Sequence, residues 1–381
     1  MKVKRVLDSV PPIAIAYAYL EMIPEFSLIR KRRRSMRSSH RIKKTAIAIL
    51  AIAALVVPAA STAMAANKFP KSLPAPEYVD FQNAKPGSGK GLTLGYISLG
   101  DSVPFVKLVS DSIKAEAKRA GAKLEFCDSQ LDAAKALACA QLFKTKKVQA
   151  YLNFQLDAAA GPSIYKAGPQ VPVIAIDINQ TPDQVSFMGA NNNRAGVIAG
   201  RGVGQLMKQK FDCKYDAIVL MESPGVGSVN EARIGGNKQG FAEICGALDL
   251  TKVKSIDSSF LEKAQASFKD ALTTLPNAKT IVVMAMNDDS CLGALAAAKQ
   301  VGREGDIYLG CHGADPTSWC EIKNNPNWAG DAAYFPEKYG QVAIPYLIEA
   351  ARGKAIPNKL QINHVFINKN NLSKYYPKVS C

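Results

Sequence analysis

The chain has 381 residues, 48% of them apolar, and a formal charge of +16 at pH 7, which is long enough for more than one hydrophobic core. Residues 1–65 hold twelve Lys/Arg against three Asp/Glu, a net of +9, so only +7 remains for the other 316 residues. So thin a surplus, with no basic run interleaved with aromatics, argues against a nucleic-acid-binding surface, and no apolar stretch reaches the roughly 20 residues that a membrane-spanning helix needs.

The first segment in chain order reads as an export signal. Arg37, Arg41, Lys43 and Lys44 precede an apolar run from Thr45 to Val57, and Pro58 and the small residues Ala59 to Ala66 follow it. Ala63-Met64-Ala65 has the A-x-A form that signal peptidase accepts, so residues 1–65 are expected to be a signal peptide cleaved after Ala65. A start at Met36 gives a basic region of ordinary length and is the expected true start. No cysteine stands at the cleavage point, so no lipid anchor is expected and the mature chain is expected to be soluble, in the periplasm of a double-membraned bacterium. Residues 66–91, rich in Pro, Gly and Lys and without a period, read as a tether or loosely packed arm. Within them Gly87-Ser88-Gly89-Lys90 lacks the preceding strand and the following Ser/Thr of a phosphate-binding loop.

From Leu92 onward, apolar runs of strand length alternate with longer amphipathic stretches. The spacing predicts strands over 92–98, 123–127, 148–153, 173–176 and 185–189, with helices over 103–120, 132–145 and 158–167. It repeats with a helix over 194–210, a strand over 217–221, a helix over 230–248, a strand over 251–256, a helix over 262–275, a strand over 280–284, a helix over 290–301 and a strand over 307–310. The fold class is therefore α/β, with two doubly wound parallel-sheet lobes and a first crossing at Ala190-Asn191-Asn192-Asn193. In such sheets ligands bind beyond the carboxyl ends of the strands. That places Phe105, Asp177, Phe260, Asn287, His312 and Tyr334 among the candidates.

Asp177 ends the apolar strand Val173-Ile174-Ala175-Ile176, where a carboxylate can accept two hydroxyl hydrogen bonds or cap the next turn. Asn287 is expected to face the cleft, with Asp288 or Asp289 capping the helix behind it. Phe105 and Phe260 either stack on an apolar sugar face or fill core. Gly225-Val226-Gly227-Ser228 is no nucleophile elbow, and only His312 and His364 follow the signal as bases, so a hydrolytic triad is not expected. All eight cysteines lie beyond residue 65. An oxidising compartment would pair them, and sequence neighbourhood favours Cys127 with Cys139 and Cys213 with Cys245; Cys291, Cys311, Cys320 and Cys381 stay unassigned, and buried free thiols are the alternative. Cys311-His312 with Cys320 lacks zinc-ligand spacing, so no metal and no cofactor is expected.

From Leu92 to Ile356 the chain resembles the ribose-type periplasmic sugar-binding proteins, the soluble receptors of ATP-driven importers. The resemblance rests on Pro104-Phe105, Phe126-Cys127-Asp128-Ser129-Gln130, Val171-Pro172-Val173-Ile174 ending in Asp177, Gly240-Phe241, Asn287-Asp288 before Leu292-Gly293-Ala294-Leu295, Gly310-Cys311-His312-Gly313, and Pro336-Glu337. It implies two lobes joined by a three-segment hinge near Asn191, Tyr334 and Asn363. The N-terminal lobe would then hold residues 92–191 and 335–363, and the C-terminal lobe 192–334 and 364–381. It also implies that Phe105, Asp177, Phe260 and Asn287 stack on and hydrogen-bond sugar hydroxyls. The family pattern expects Arg at Ile178, Arg at Asn237, Asp at His312 and Gln at Tyr334, so a ligand other than ribose is expected: another sugar, a polyol or a flatter polar molecule. The expected protein is a monomeric receptor that delivers its ligand to the membrane permease of an ABC importer. A sensory input protein, or a secreted enzyme using Asp177 and His312 as acid and base, are the alternatives.

Overall fold

A computed structural model describes residues 69–381; the signal peptide, its cleavage point after Ala65 and the Met36 start lie outside the described residues. Twelve strands run in chain order among the described residues: β1 (Thr93–Ser98), β2 (Lys123–Asp128), β3 (Ala150–Asn153), β4 (Val173–Ile176), β5 (Ser186–Ala190), β6 (Ala217–Glu222), β7 (Val253–Asp257), β8 (Ile281–Ala285), β9 (Ile307–Gly313), β10 (Trp328–Ala333), β11 (Lys359–Ile362) and β12 (Val365–Ile367). The α-helices are α1 (Pro104–Ala120), α2 (Ala133–Thr145), α3 (Gly161–Ala167), α4 (Asn192–Phe211), α5 (Ser228–Cys245), α6 (Leu261–Thr273), α7 (Asp288–Gln300), α8 (Trp319–Asn324), α9 (Gly340–Ala351) and α10 (Leu372–Tyr375).

The strands form two six-stranded sheets of the same plan, β2-β1-β3-β4-β5-β11 and β7-β6-β8-β9-β10-β12. Every pair is parallel except β10 with β12. The chain passes from one sheet to the other between β5 and β6, between β10 and β11, and between β11 and β12. Parallel strands covered on both faces must be apolar along their whole length. Val173-Ile174-Ala175-Ile176 and Ile281-Val282-Val283-Met284-Ala285 meet that demand and are buried throughout. The edge strands β2 and β7 are only partly buried and carry Lys123, Glu125 and Lys254, charges that discourage further strand pairing.

Local signals set the helix ends. Pro104 opens α1, and Gly121, at φ +70°, closes it; Asp132 caps α2 by accepting from the Ala134 and Lys135 amides. Helices α4 and α5 approach at backbone distance. A Cβ at Gly200 would lie 2.1 Å from the Asn237 carbonyl oxygen, and one at Gly240 would lie 2.1 Å from that of Val197. Only glycine permits this contact, which sets the depth of Arg233 and Asn237 on α5.

The structure departs from the sequence expectations at several places. The predicted helix over 158–167 is a 3₁₀ turn (Ala158–Ala160) followed by α3, because Gly161-Pro162 restarts the helix. The predicted 230–248 helix ends at Cys245, where Gly246 adopts φ +82°. Strand β9 continues to Gly313 and carries His312 inside it. Residues 69–91 are no loose arm. Leu73 bridges Pro357 and Val79 bridges Ile362 beside β11, Val79 and Ala84 are buried, and the Ala84 amide donates to Glu116 at 2.6 Å. The arm's few apolar residues bond by backbone pairing, which leaves no periodicity to read. Cys127–Cys139 and Cys213–Cys245 are bridged, as are Cys291–Cys311 and Cys320–Cys381.

Candidate ligand-binding cleft

The carboxyl ends of the parallel strands in both sheets converge on a cleft of about 740 Å³, part of it open to solvent. The first sheet contributes Leu99, Val103 and Phe105 after β1, Phe154 and Leu156 after β3, and Asp177 and Ile178 after β4. The second contributes Ser223 and Val226 after β6, Ser259 and Phe260 after β7, Met286 to Asp289 after β8, His312 and Asp315 at the end of β9, and Tyr334 after β10. Apolar side chains make up about half of this wall and polar or charged ones the other half.

Asp177 sits at φ +55° just past β4. Its carboxylate lies where a Cβ on Gly189 would stand 2.4 Å from Oδ1, so residue 189 has room for hydrogen alone. Tyr339 donates to Asp177 Oδ1 at 3.0 Å. Burial pushes the Asp177 carboxyl up, while the nearby Arg233 guanidinium, the Tyr339 hydroxyl and the Ala190 amide pull it back. Phe105 meets the rings of Tyr334 and Tyr339 edge-on, at centroid distances of 6.2 and 5.9 Å.

The opposite wall is acidic. Asn287, rather than Asp288 or Asp289, is the cap of α7, with its Oδ1 accepting from the Ser290 amide at 2.8 Å. The aspartates that follow fall in the first turn, where the helix dipole favours them. With Oδ1 so used, the Asn287 amide NH2 is the group left for a ligand. Asp288 Oδ2 accepts from the Asp315 amide at 2.9 Å, and the Ser318 hydroxyl stands between it and Asp331, at 3.3 and 3.0 Å. Burial and the neighbouring carboxylates raise Asp288, and burial brings Asp289 to about 6.

At the floor, three of the predicted residues form a chain. Asn237 Nδ2 donates to the Ala285 carbonyl at 3.4 Å, Asn237 Oδ1 lies 3.0 Å from His312 Nε2, and His312 Nδ1 lies 2.9 Å from the Tyr334 hydroxyl. Burial, helped by Arg233 and His364, drives the His312 pKa well down, so the ring is neutral. Beside it His364 clasps the crossings. Its Nε2 accepts from the Asn191 amide at 3.0 Å, its Nδ1 donates to the Ala333 carbonyl at 3.0 Å, and its ring packs on Tyr334 at 5.0 Å.

Of the residues expected from sequence, Phe105, Asp177, Phe260, Asn287, His312 and Tyr334 line the cleft, and Asn237 lies behind His312 instead of on the surface. Arg233, which the sequence reading missed, lines it. It stands one helical turn before Asn237, on the same face of α5. Its Nε donates to Asn192 at 2.8 Å and its NH1 to the Met286 carbonyl at 3.1 Å, and its guanidinium lies 4.7 Å from the Tyr334 ring centroid. The spacing of Arg233 and Asn237, one turn apart on the buried face of α5, was the available signal. Among the described residues no group of three or more His, Cys, Asp or Glu could hold a metal ion, and no helix is long and apolar enough to cross a membrane.

Residues 94–355 match the periplasmic binding protein domain family. The ribose import binding protein of Escherichia coli is 25% identical over 263 residues, 68% of this chain and 85% of the relative. The galactofuranose-binding protein of the same organism is 23% identical over 264 residues, 65% of this chain and 82% of the relative. Among solved structures, an ABC transporter solute binding protein from Mycobacterium smegmatis with bound glycerol has a TM-score of 0.65 at 21% identity, covering 74% of this chain and 96% of that one. One from Bacillus halodurans with bound myo-inositol has a TM-score of 0.64 at 17% identity, covering 76% and 99%.

Proposed function

The chain belongs to the periplasmic binding protein domain family, and from that premise we propose that it is an exported receptor that captures a sugar or sugar-like polar molecule between two lobes and delivers it to the permease of an ABC importer. The carrying observation is the convergence of Asp177, Arg233, Asn287 and Tyr334 with the rings of Phe105 and Phe260 on one cleft between two parallel sheets. Rings that cover an apolar face, beside carboxylate, guanidinium and amide groups spaced around its rim, suit a molecule with hydroxyls at the edge and C–H on the faces. The relatives whose names record ribose or galactofuranose point the same way.

The sheets divide the chain as a two-lobe receptor requires, with the three passages between them as the hinge. The export signal over residues 1–65, a periplasmic location and a monomeric state complete the proposal. Both ring nitrogens of His312 are engaged, by Asn237 and by Tyr334, and Asp177 is held by Tyr339. A thermal-shift screen over pentoses, hexoses, polyols and nucleosides tests the reading. A ligand that binds only the folded state raises the melting temperature at micromolar concentration; no shift across the panel would contradict the proposal.

A further inference from the structure

The hydrogen-bonding sense of Tyr334 is set from behind the cleft. The Ala285 carbonyl can only accept, so the Asn237 amide that faces it at 3.4 Å must present NH2 there and its carbonyl oxygen to His312. An acceptor 3.0 Å from Nε2 requires the proton on that nitrogen. His312 is 1% exposed and packs near Arg233, conditions that keep the ring neutral, with one N–H. Nδ1 is therefore a lone pair, and the Tyr334 hydroxyl 2.9 Å away donates to it. A phenol has a single proton.

We propose that Asn237 and His312 are positioning residues that hold the Tyr334 proton away from the cleft, so that Tyr334 Oη meets a ligand only as an acceptor and selects one that presents a hydroxyl or amine donor at that point. This rests on the receptor reading given above. The Asp177 carboxylate is a second acceptor, and Arg233, lying over the Tyr334 ring, supplies donors beside it. An ether, carbonyl or carboxylate oxygen placed against Tyr334 would face a lone pair and find no donor there.

The state of His312 can be read without a ligand. In full-length protein labelled with ¹⁵N-histidine, long-range ¹H–¹⁵N correlation at pH 7 should show His312 as the neutral Nε2–H tautomer and His364 as the neutral Nδ1–H tautomer, assigned with His312→Gln and His364→Gln. An Nδ1–H tautomer or an imidazolium at His312 would overturn the proposal. Asn237→Leu removes the acceptor and should let His312 shift to Nδ1–H, turning the Tyr334 hydroxyl towards the cleft. With D-ribose, D-allose, L-arabinose and myo-inositol as probes, the tightest should bind about tenfold more weakly to both Asn237→Leu and Tyr334→Phe, the loss of roughly one good hydrogen bond. Unchanged affinity in both variants would also overturn it. If none of the four binds wild-type protein, the strongest hit of the thermal-shift panel takes their place as the probe, and the tautomer decides the proposal without a ligand.

Discussion

Burying an imidazole is tolerable only if it stays neutral and both nitrogens find partners, and His364 meets that condition at the point where the chain passes between the sheets. Burial is the first cause of its depressed pKa, about 4 against 6.5 for the free side chain. The sign follows directly. The folded state binds fewer protons than the unfolded chain between pH 6.5 and 4, so the stability His364 contributes is complete above about pH 6.5 and is lost as the pH falls towards 4, by roughly 3 kcal/mol. Asp289 and Asp331, both raised to about 6, act in the opposite sense over the same interval, so wild-type stability alone would blur the effect. Comparison with His364→Leu isolates it. At pH 7.5 the variant, which leaves the Asn191 amide and the Ala333 carbonyl unpaired, should be less stable by about 2–4 kcal/mol. That gap should close by pH 4 in denaturant titrations. A gap that stays constant from pH 7.5 to 4 would show that His364 does not titrate as described.

Among the elements, the α4–α5 pair shapes the cleft through the depth at which it holds Arg233 and Asn237. The glycines that let these helices meet set how far Arg233 and Asn237 reach, so Gly240→Val should cost stability by about 1–3 kcal/mol or more through overpacking. It should also weaken ligand binding, because α5 must move away from α4 and take both side chains with it. A destabilised Gly240→Val that binds with wild-type affinity would separate the two effects and count against this account. The central strands and their helices were legible in the sequence because burial on both faces leaves unbroken apolar runs such as Ile281 to Ala285. Strands β10, β11 and β12 were not. Trp328-Ala329-Gly330-Asp331-Ala332-Ala333 carries a glycine and a buried aspartate that reads as loop until the Trp328 indole is seen to donate to Asp331 at 2.7 Å. The cap of α7 was misassigned for a related reason: Asn287, Asp288 and Asp289 are all competent caps, and only the helix start decides among them.

For the molecule as a whole, two copies of one sheet plan face each other across a cleft, and the chain crosses between them three times. Each sheet's sixth strand comes from the chain's return, so the crossings are built into the sheets instead of being free linkers. Strand order put most cleft residues within reach of sequence reasoning, since the residue after each apolar run was the right place to look. Arg233 escaped because it comes from a helix face, and the acceptor role of Tyr334 escaped because it depends on groups from two other elements. On the receptor reading proposed above, the cleft holds its sugar-like ligand through Asp177. Calorimetric titration of the strongest thermal-shift hit into wild-type protein and Asp177→Ala tests it most directly. One ligand per chain, with affinity at least tenfold weaker in the variant, is the predicted result; equal affinity in the two proteins would contradict it.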